Sequence, residues 1–303
     1  MVTLPAPGIV NDDANKGLVL QTDDGLFAVT FAGVGTFRDG GLQRIDTWLA
    51  EQMLKEGVPE LPIREGIGRL ARAATDLFRK FPKTSDRLHH QFIVAGWEHR
   101  GSTANPGLWM VSNCTGPDGK TRITPHSETF SIHYTPLSKS SVLITGMWEA
   151  VPRAARRRLK AALRTSSDIG RVEQAVVETV RAAAMETRGR DFINGNVLTI
   201  TISPNGQARA IHHPPDAPPL LYAPWFVWYK SGRNYVAGDA WAVPSDRFAY
   251  RFGQMMLMPV NTSRAATNSS PDAGKVDFSF RMDTAKHKSS PVGDVDVVEV
   301  VQL

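Results

Sequence analysis

The residues able to do chemistry are scattered along this chain rather than gathered in one motif. Two adjacent histidine pairs, His89-His90 and His212-His213, fall in segments that read as strands, where neighbouring side chains point to opposite faces. Neither pair alone can then chelate a metal. Ser112 and Ser131 lie in strand-like runs without the Gly-x-Ser-x-Gly turn that exposes a nucleophile, and the sequence has neither a P-loop nor a dinucleotide fingerprint. No metal and no cofactor is expected. The stretch "RAARRRLKAALR", residues 153–164, is the one dense basic cluster. It could contact nucleic acid or an acidic subunit, but a solvated helix face is the expectation, and nucleic acid is not among the expected partners. Trp225, Phe226, Trp228 and Tyr229 read as a docking segment that covers the core or a neighbour.

The elements that must position these residues follow from periodicity. Residues 17–22 and 26–32 are β-rich runs around Asp23-Asp24-Gly25, whose Asp-Gly pair suits a tight hairpin turn. Leu42, Ile45, Leu49, Met53 and Leu54 recur at helical spacing, which predicts a helix over 42–56, and a second follows over about 64–81. "HHQFIVAGWE", "GLWMVSNC", "ETFSIHYT" and "SVLITGMWE" read as four strands. Pro152 is placed to open a helix through Arg164, and Asp168 to cap a longer one with the apolar stripe Ile169, Val172, Val176, Val180 and Ala183 or Ala184. Residues 196–202 and 208–213 close the pattern as two strands. Two strands, two helices, four strands, two helices and two strands imply sheets packed together with a helical layer outside each. The fold class is α+β.

Composition sets the frame. A chain of 303 residues, 42% of them hydrophobic, can bury a substantial core. Lys and Arg outnumber Asp and Glu by 35 to 30, an excess read as mostly dispersed. The single cysteine, Cys114, cannot form an intrachain disulfide, and Asp12 and Asp13 stand where a secretory leader would be basic and then apolar. No apolar run approaches the roughly 20 residues that span a bilayer. A soluble, cytoplasmic protein without a membrane partner is expected. From Pro214 the chain turns rich in proline and aromatics and then low in apolar residues, which predicts one domain over 1–213 and an extension over 214–303 packed on its outside.

Across residues 9–213, "DDANKGLVL", "LFAVTFAG", "HQFIVAGWE…GLWMVSN" and "GRDFINGNVLTITIS" together resemble the proteasome-type branch of the N-terminal-nucleophile (Ntn) hydrolases, nearest to bacterial proteins of that branch without a settled role. The resemblance implies a four-layer αββα sandwich and amide-bond hydrolysis. In that chemistry an N-terminal Thr, Ser or Cys attacks the carbonyl, its α-amine handles the proton, a lysine depresses the nucleophile's proton affinity and a backbone N–H holds the oxyanion. By motif, Lys16 matches the family lysine and Gly33 the oxyanion glycine. Asp191 matches the aspartate of an Arg-Asp-x-x-Ser-Gly stretch, with Asn194 where serine is usual. Each has a plainer reading: a solvated lysine, a tight strand exit at Gly33, capping or pairing of Asp191 with Arg188 or Arg190.

The resemblance also implies a nucleophile-bearing strand before the equivalent of "VTLPAPGIVNDDANK", so the first strand is expected to be missing from this chain. Removing Met1 exposes Val2, which has no nucleophilic atom, and the prolines after Thr3 suit no buried strand. The expectation is an Ntn-type relative that cleaves peptides or small amides in a form with that strand and is inactive without it. The alternative is a non-catalytic scaffold or assembly protein on the same fold. Loss of the first strand would leave the edge of strand 17–22 open to a second copy or a partner subunit.

Overall fold

The computed structural model describes residues 16–38, 42–81, 89–116, 118–119, 121–123, 126–135, 137, 142–146, 148–166, 168–187, 189, 193, 195–230, 233–237, 240–241, 280–281 and 300–302. Its first hairpin shows how tightly the strands are layered. β1 (Gly17–Thr22) and β2 (Gly25–Ala32) are antiparallel with Thr22 opposite Gly25, so Asp23 and Asp24 form the turn and Gly25 already belongs to β2. The expected Asp-Gly turn is thus shifted by one residue. A Cβ at Gly25 would lie 2.2 Å from the Trp97 carbonyl oxygen, so close backbone approach, not the turn, calls for glycine there.

The turn has a second job. Asp24 Oδ1 accepts from Thr22 Oγ1 at 2.8 Å and from the backbone N–H of Ile63, also at 2.8 Å. Ile63 is the first residue of α2 (Ile63–Phe78), and the residue before it, Pro62, makes no side-chain cap. A carboxylate from a distant hairpin therefore satisfies one of the N–H groups that a helix leaves open at its start.

Between them run a short hairpin, β3 (Thr36–Arg38) and β4 (Leu42–Arg44), and α1 (Ile45–Lys55). The helix expected from 42 starts later because Leu42 to Arg44 pair with β3. Then come β5 (Gln91–Arg100), β6 (Thr103–Ser112), β7 (Ser131–Tyr134), β8 (Leu143–Thr145), α3 (Arg153–Thr165), α4 (Ile169–Met185), β9 (Val197–Ile202) and β10 (Gln207–His213). The Asp168 cap is present, its Oδ1 accepting from Gly170 N–H at 2.9 Å. Six further strands follow: β11 (Leu220–Ala223), β12 (Trp225–Lys230), β13 (Arg233–Ala237), β14 (Ala240–Trp241), β15 (Phe280–Arg281) and β16 (Val300–Gln302).

The fold is mixed α/β, with four α-helices among the described residues and a seven-stranded mixed sheet in the order β13-β12-β1-β2-β5-β6-β7. A second sheet runs β14-β11-β10-β15, with β9 also paired to β10. The large sheet is apolar on both faces. Leu18, Leu20, Phe27, Val29, Phe31, Phe92, Val94 and Val227 share one buried cluster with Trp48 and Met53 of α1 and Ile67, Leu70 and Phe78 of α2. The alternate residues Val19, Leu26, Ala28, Trp97, Phe226 and Trp228 pack on Ile202 of β9 and Ala208 of β10. Helices α3 and α4 share a third cluster with Val197 of β9.

Among the described residues beyond 214, β11 to β15 are strands of these two sheets. β12 pairs in parallel with β1 through Leu18 and Trp225, Val19 and Phe226, and Leu20 and Val227, while β11 pairs with β10. The edge of β1 expected to await a partner is therefore closed by this chain's own β12, whose alternating apolar side chains satisfy both faces as its backbone satisfies the edge.

The long-range cap gives a prediction. Asp24→Ala should lower stability by about 1 kcal/mol, the usual worth of a helix cap. Asp23→Ala, in the same turn with no such bond, should stay within about 0.5 kcal/mol of wild type. Urea midpoints at unchanged slope measure both.

Candidate functional site

Lys16, Gly33 and His90 meet at one end of the large sheet because each stands just outside a strand: before β1, after β2 and before β5. The ladder fixes their relation. Phe31 N–H donates to the Lys16 carbonyl at 3.3 Å, and Ala32 lies opposite Gln91. Lys16 is thereby in the alternating row of Leu18 and Leu20, and His90 in the row of Phe92 and Val94, both on the face covered by α1 and α2. Gly33 belongs to the same face, since a Cβ there would come 2.7 Å from His90 Nδ1 and 2.3 Å from the His89 carbonyl oxygen. Its φ of 122° is a second reason for glycine. The Gly33 N–H, two residues after that of Phe31, lies on the β1 side of the strand.

His90, passed over in the sequence except as half of a pair, is the most confined group of the three. Its side chain is wholly buried and stacked on Phe31, with Phe78 and Phe92 ring centroids at 5.1 and 4.5 Å. Its backbone is clamped by Asn113: His90 N–H donates to Asn113 Oδ1 at 2.8 Å, and Asn113 N–H donates to His90 O at 3.3 Å. Neither ring nitrogen makes a hydrogen bond among the described residues. Burial, with a smaller contribution from the Lys16 cation, lowers the imidazole pKa from 6.5 to about 3. The ring is neutral at physiological pH and far too weakly basic for general-base work there.

The opposite face of the same strand ends carries hydroxyls. Gln91 Nε2 donates to Thr115 Oγ1 at 3.0 Å and to Ser112 Oγ at 3.4 Å, and the two hydroxyl oxygens are 2.8 Å apart. Cys114 N–H donates to Ser112 Oγ at 3.1 Å, with the Cys114 Sγ 3.5 Å away. Ser112 is fully buried and its side-chain partners are the Thr115 hydroxyl, the Gln91 amide and the Cys114 thiol, with no His, Lys or carboxylate among them to serve as its base. This is a satisfied interior network. Ser131, on β7, is exposed.

A third polar group lies between α4 and β9–β10. Thr201 Oγ1 donates to Glu173 Oε1 at 2.7 Å, Arg209 pairs with the other carboxylate oxygen, and Thr199 Oγ1 is 3.0 Å from His213 Nε2. Arg181 Nη2 donates to the carbonyls of His213 and Pro214. Burial lowers the His213 pKa, Glu173 opposes that, and Arg181 and Arg209 reinforce it. The sequence signal was the Thr-x-Thr alternation in "LTITI", which puts Thr199 and Thr201 on one face of β9.

Comparisons with family models, with curated proteins and with solved structures found no match to this chain. Of the four residues singled out by motif, the structure brings Lys16 and Gly33 together and adds His90; Asp191 and Asn194 lie outside the described residues. Among the described residues no three His, Cys, Asp or Glu side chains are grouped to hold a metal, and no helix is long and apolar enough to cross a membrane. The Trp225 to Tyr229 segment covers the core: Phe226 and Trp228 stack at 4.9 Å in the layer against β9 and β10.

Two outcomes follow. An imidazole whose folded pKa lies below its unfolded value leaves the unfolded state binding the extra proton between about pH 6.5 and 3. Stability should thus fall as pH drops through that window, by about 1.4 kcal/mol per pH unit from this group. Urea unfolding at several pH values should show that slope in wild type and lose it in His90→Phe, whatever the variant's offset. Gly33→Ala should lower stability by more than about 2 kcal/mol, combining a positive φ with a clash on the His89 carbonyl; thermal unfolding measures it.

Proposed function

We propose that this chain is a homologue of the proteasome-type Ntn hydrolases, built as an αββα sandwich, and that the arrangement described here does not hydrolyse amides. The carrying observation is the order of packing: α1 and α2 on one face of the large sheet, β9 and β10 on the other, α3 and α4 beyond them. Lys16 argues for the non-hydrolysing form. The family chemistry wants its ammonium beside a nucleophile between the sheets, whereas strand alternation assigns it to the helix-covered face with His90.

The sheet edges favour a scaffold or assembly role over turnover. A strand bringing an attacking atom to Lys16 and Gly33 would need the edge of β1, or that of β10 across the inter-sheet layer. β12 occupies the first, and β11 and β15 the second. The test is release of product from a panel of peptides and acyl amides, with covalent labelling by an electrophile directed at N-terminal threonines. The 303-residue chain should show neither. Turnover abolished by Lys16→Ala and untouched by Lys139→Ala would overturn the reading and assign the lysine to catalysis.

A further inference from the structure

One helix of this protein carries a dense run of positive charge. α3 carries Arg153, Arg156, Arg157, Arg158, Lys160 and Arg164 and no carboxylate. The whole chain has a formal net charge of +5, so the 290 residues outside α3 sum to −1. The excess read from the sequence as dispersed is in fact local. All but Arg156 of these six are exposed, while Ala155, Leu159 and Leu163 turn inward against α4.

The face is electrostatically unfavourable by itself. The pairs 153–156, 153–157, 156–160, 157–160 and 160–164 stand three or four residues apart, the spacing at which like charges repel along a helix. Arg153 also sits at the positive end of the helix dipole. The other helices temper their charges: Arg69 pairs with Glu65 on α2, and Arg171 with Asp168 at the start of α4. Near the start of α3, Arg153 and Arg156 share a shallow cleft with Glu149 and Glu186, which offset part of their charge. No ion pair among the described residues engages Arg157, Arg158, Lys160 or Arg164.

We infer that this face of α3 is a sequence-independent docking surface for the phosphate backbone of duplex nucleic acid. Three features select that partner. The exposed positions are Arg, Lys, Ala and Thr only, with no aromatic or large apolar side chain. A protein partner would be met by an apolar or aromatic centre inside a polar rim, whereas nucleic-acid interfaces are polar and strongly positive. A helix that lies on a membrane turns its apolar face to the lipid, and here that face is packed on α4. Five of the six cations are arginine, whose planar fork grips phosphate oxygens in pairs. Without stacking side chains the surface reads charge and not bases.

The test uses the full chain and a fluorescein-labelled 20-base-pair DNA duplex of arbitrary sequence, read by anisotropy from 50 to 200 mM salt. Four engaged cations predict that log K falls against log salt with a slope of about −3.6. Arg157→Gln/Arg158→Gln/Arg164→Gln should weaken binding at least about tenfold at 100 mM salt and make the slope shallower by about 2.7. Arg72→Gln/Arg79→Gln/Lys80→Gln, on α2 and just past its end, removes the same net charge and should leave both nearly unchanged. Circular dichroism and melting confirm that both variants are folded. Failure of wild type to bind at 50 mM salt, or equal losses in the two variants, would overturn the proposal. So would displacement of the duplex by poly-glutamate or phosphatidylserine vesicles at matched charge, which would point to an acidic protein or a lipid surface.

Discussion

Strands β1, β2 and β5 bury large apolar side chains on both faces, and a strand of that kind is stable only with a layer on each side. Each such side chain contributes about 1.5–3 kcal/mol when taken from water, so no single contact governs the arrangement; the requirement that both faces be covered does. α1 and α2 meet it on one side. On the other, β9 and β10 meet it, and Trp97 Nε1–H donating to the Ile202 carbonyl at 2.9 Å joins the two sheets within that layer. The glycines at 17, 25 and 96 are consequences. A Cβ at each would strike, respectively, the Ile200 side chain, the Trp97 carbonyl and the Leu26 carbonyl.

The same covering decides what the Lys16, Gly33 and His90 corner can do. Layers that exclude water from Phe31, Phe78 and Phe92 also desolvate His90, and desolvation is the main reason its imidazole is held neutral. A hydrogen-bonded partner would have offset that penalty, but its ring nitrogens meet none among the described residues. His90 therefore fixes strand ends through Asn113 and ring packing.

Interior and surface treat charge in opposite ways. Inside, Glu173 is satisfied by Thr201 and Arg209, and Gln91 by Ser112 and Thr115, as buried polar groups require. Glu98, also buried, lies between Arg64 and Arg100. On α3 repulsion goes uncompensated because water and salt screen exposed charges enough for the packing of Leu159 and Leu163 to hold the helix.

Periodicity gave the order of the two strands, two helices, four strands, two helices and two strands up to residue 213, but neither the β3–β4 hairpin nor the strands after 214. The Asp168 cap, the stripe of α4, the doubly apolar strands and the start of α3 after Pro152 are local, set by spacing and capping chemistry within a few residues, and all are where the sequence puts them. The shift of the first turn, the role of Asp24 as a cap for α2 and the late start of α1 are not local, since each depends on a partner strand or helix distant in sequence. So do the closed β1 edge and the burial of His90. A one-residue step in register moves a side chain to the other face of a sheet, and no window of sequence around Lys16 reveals which face receives it. That was settled by the ladder between β1 and β2 and by the helices lying across it.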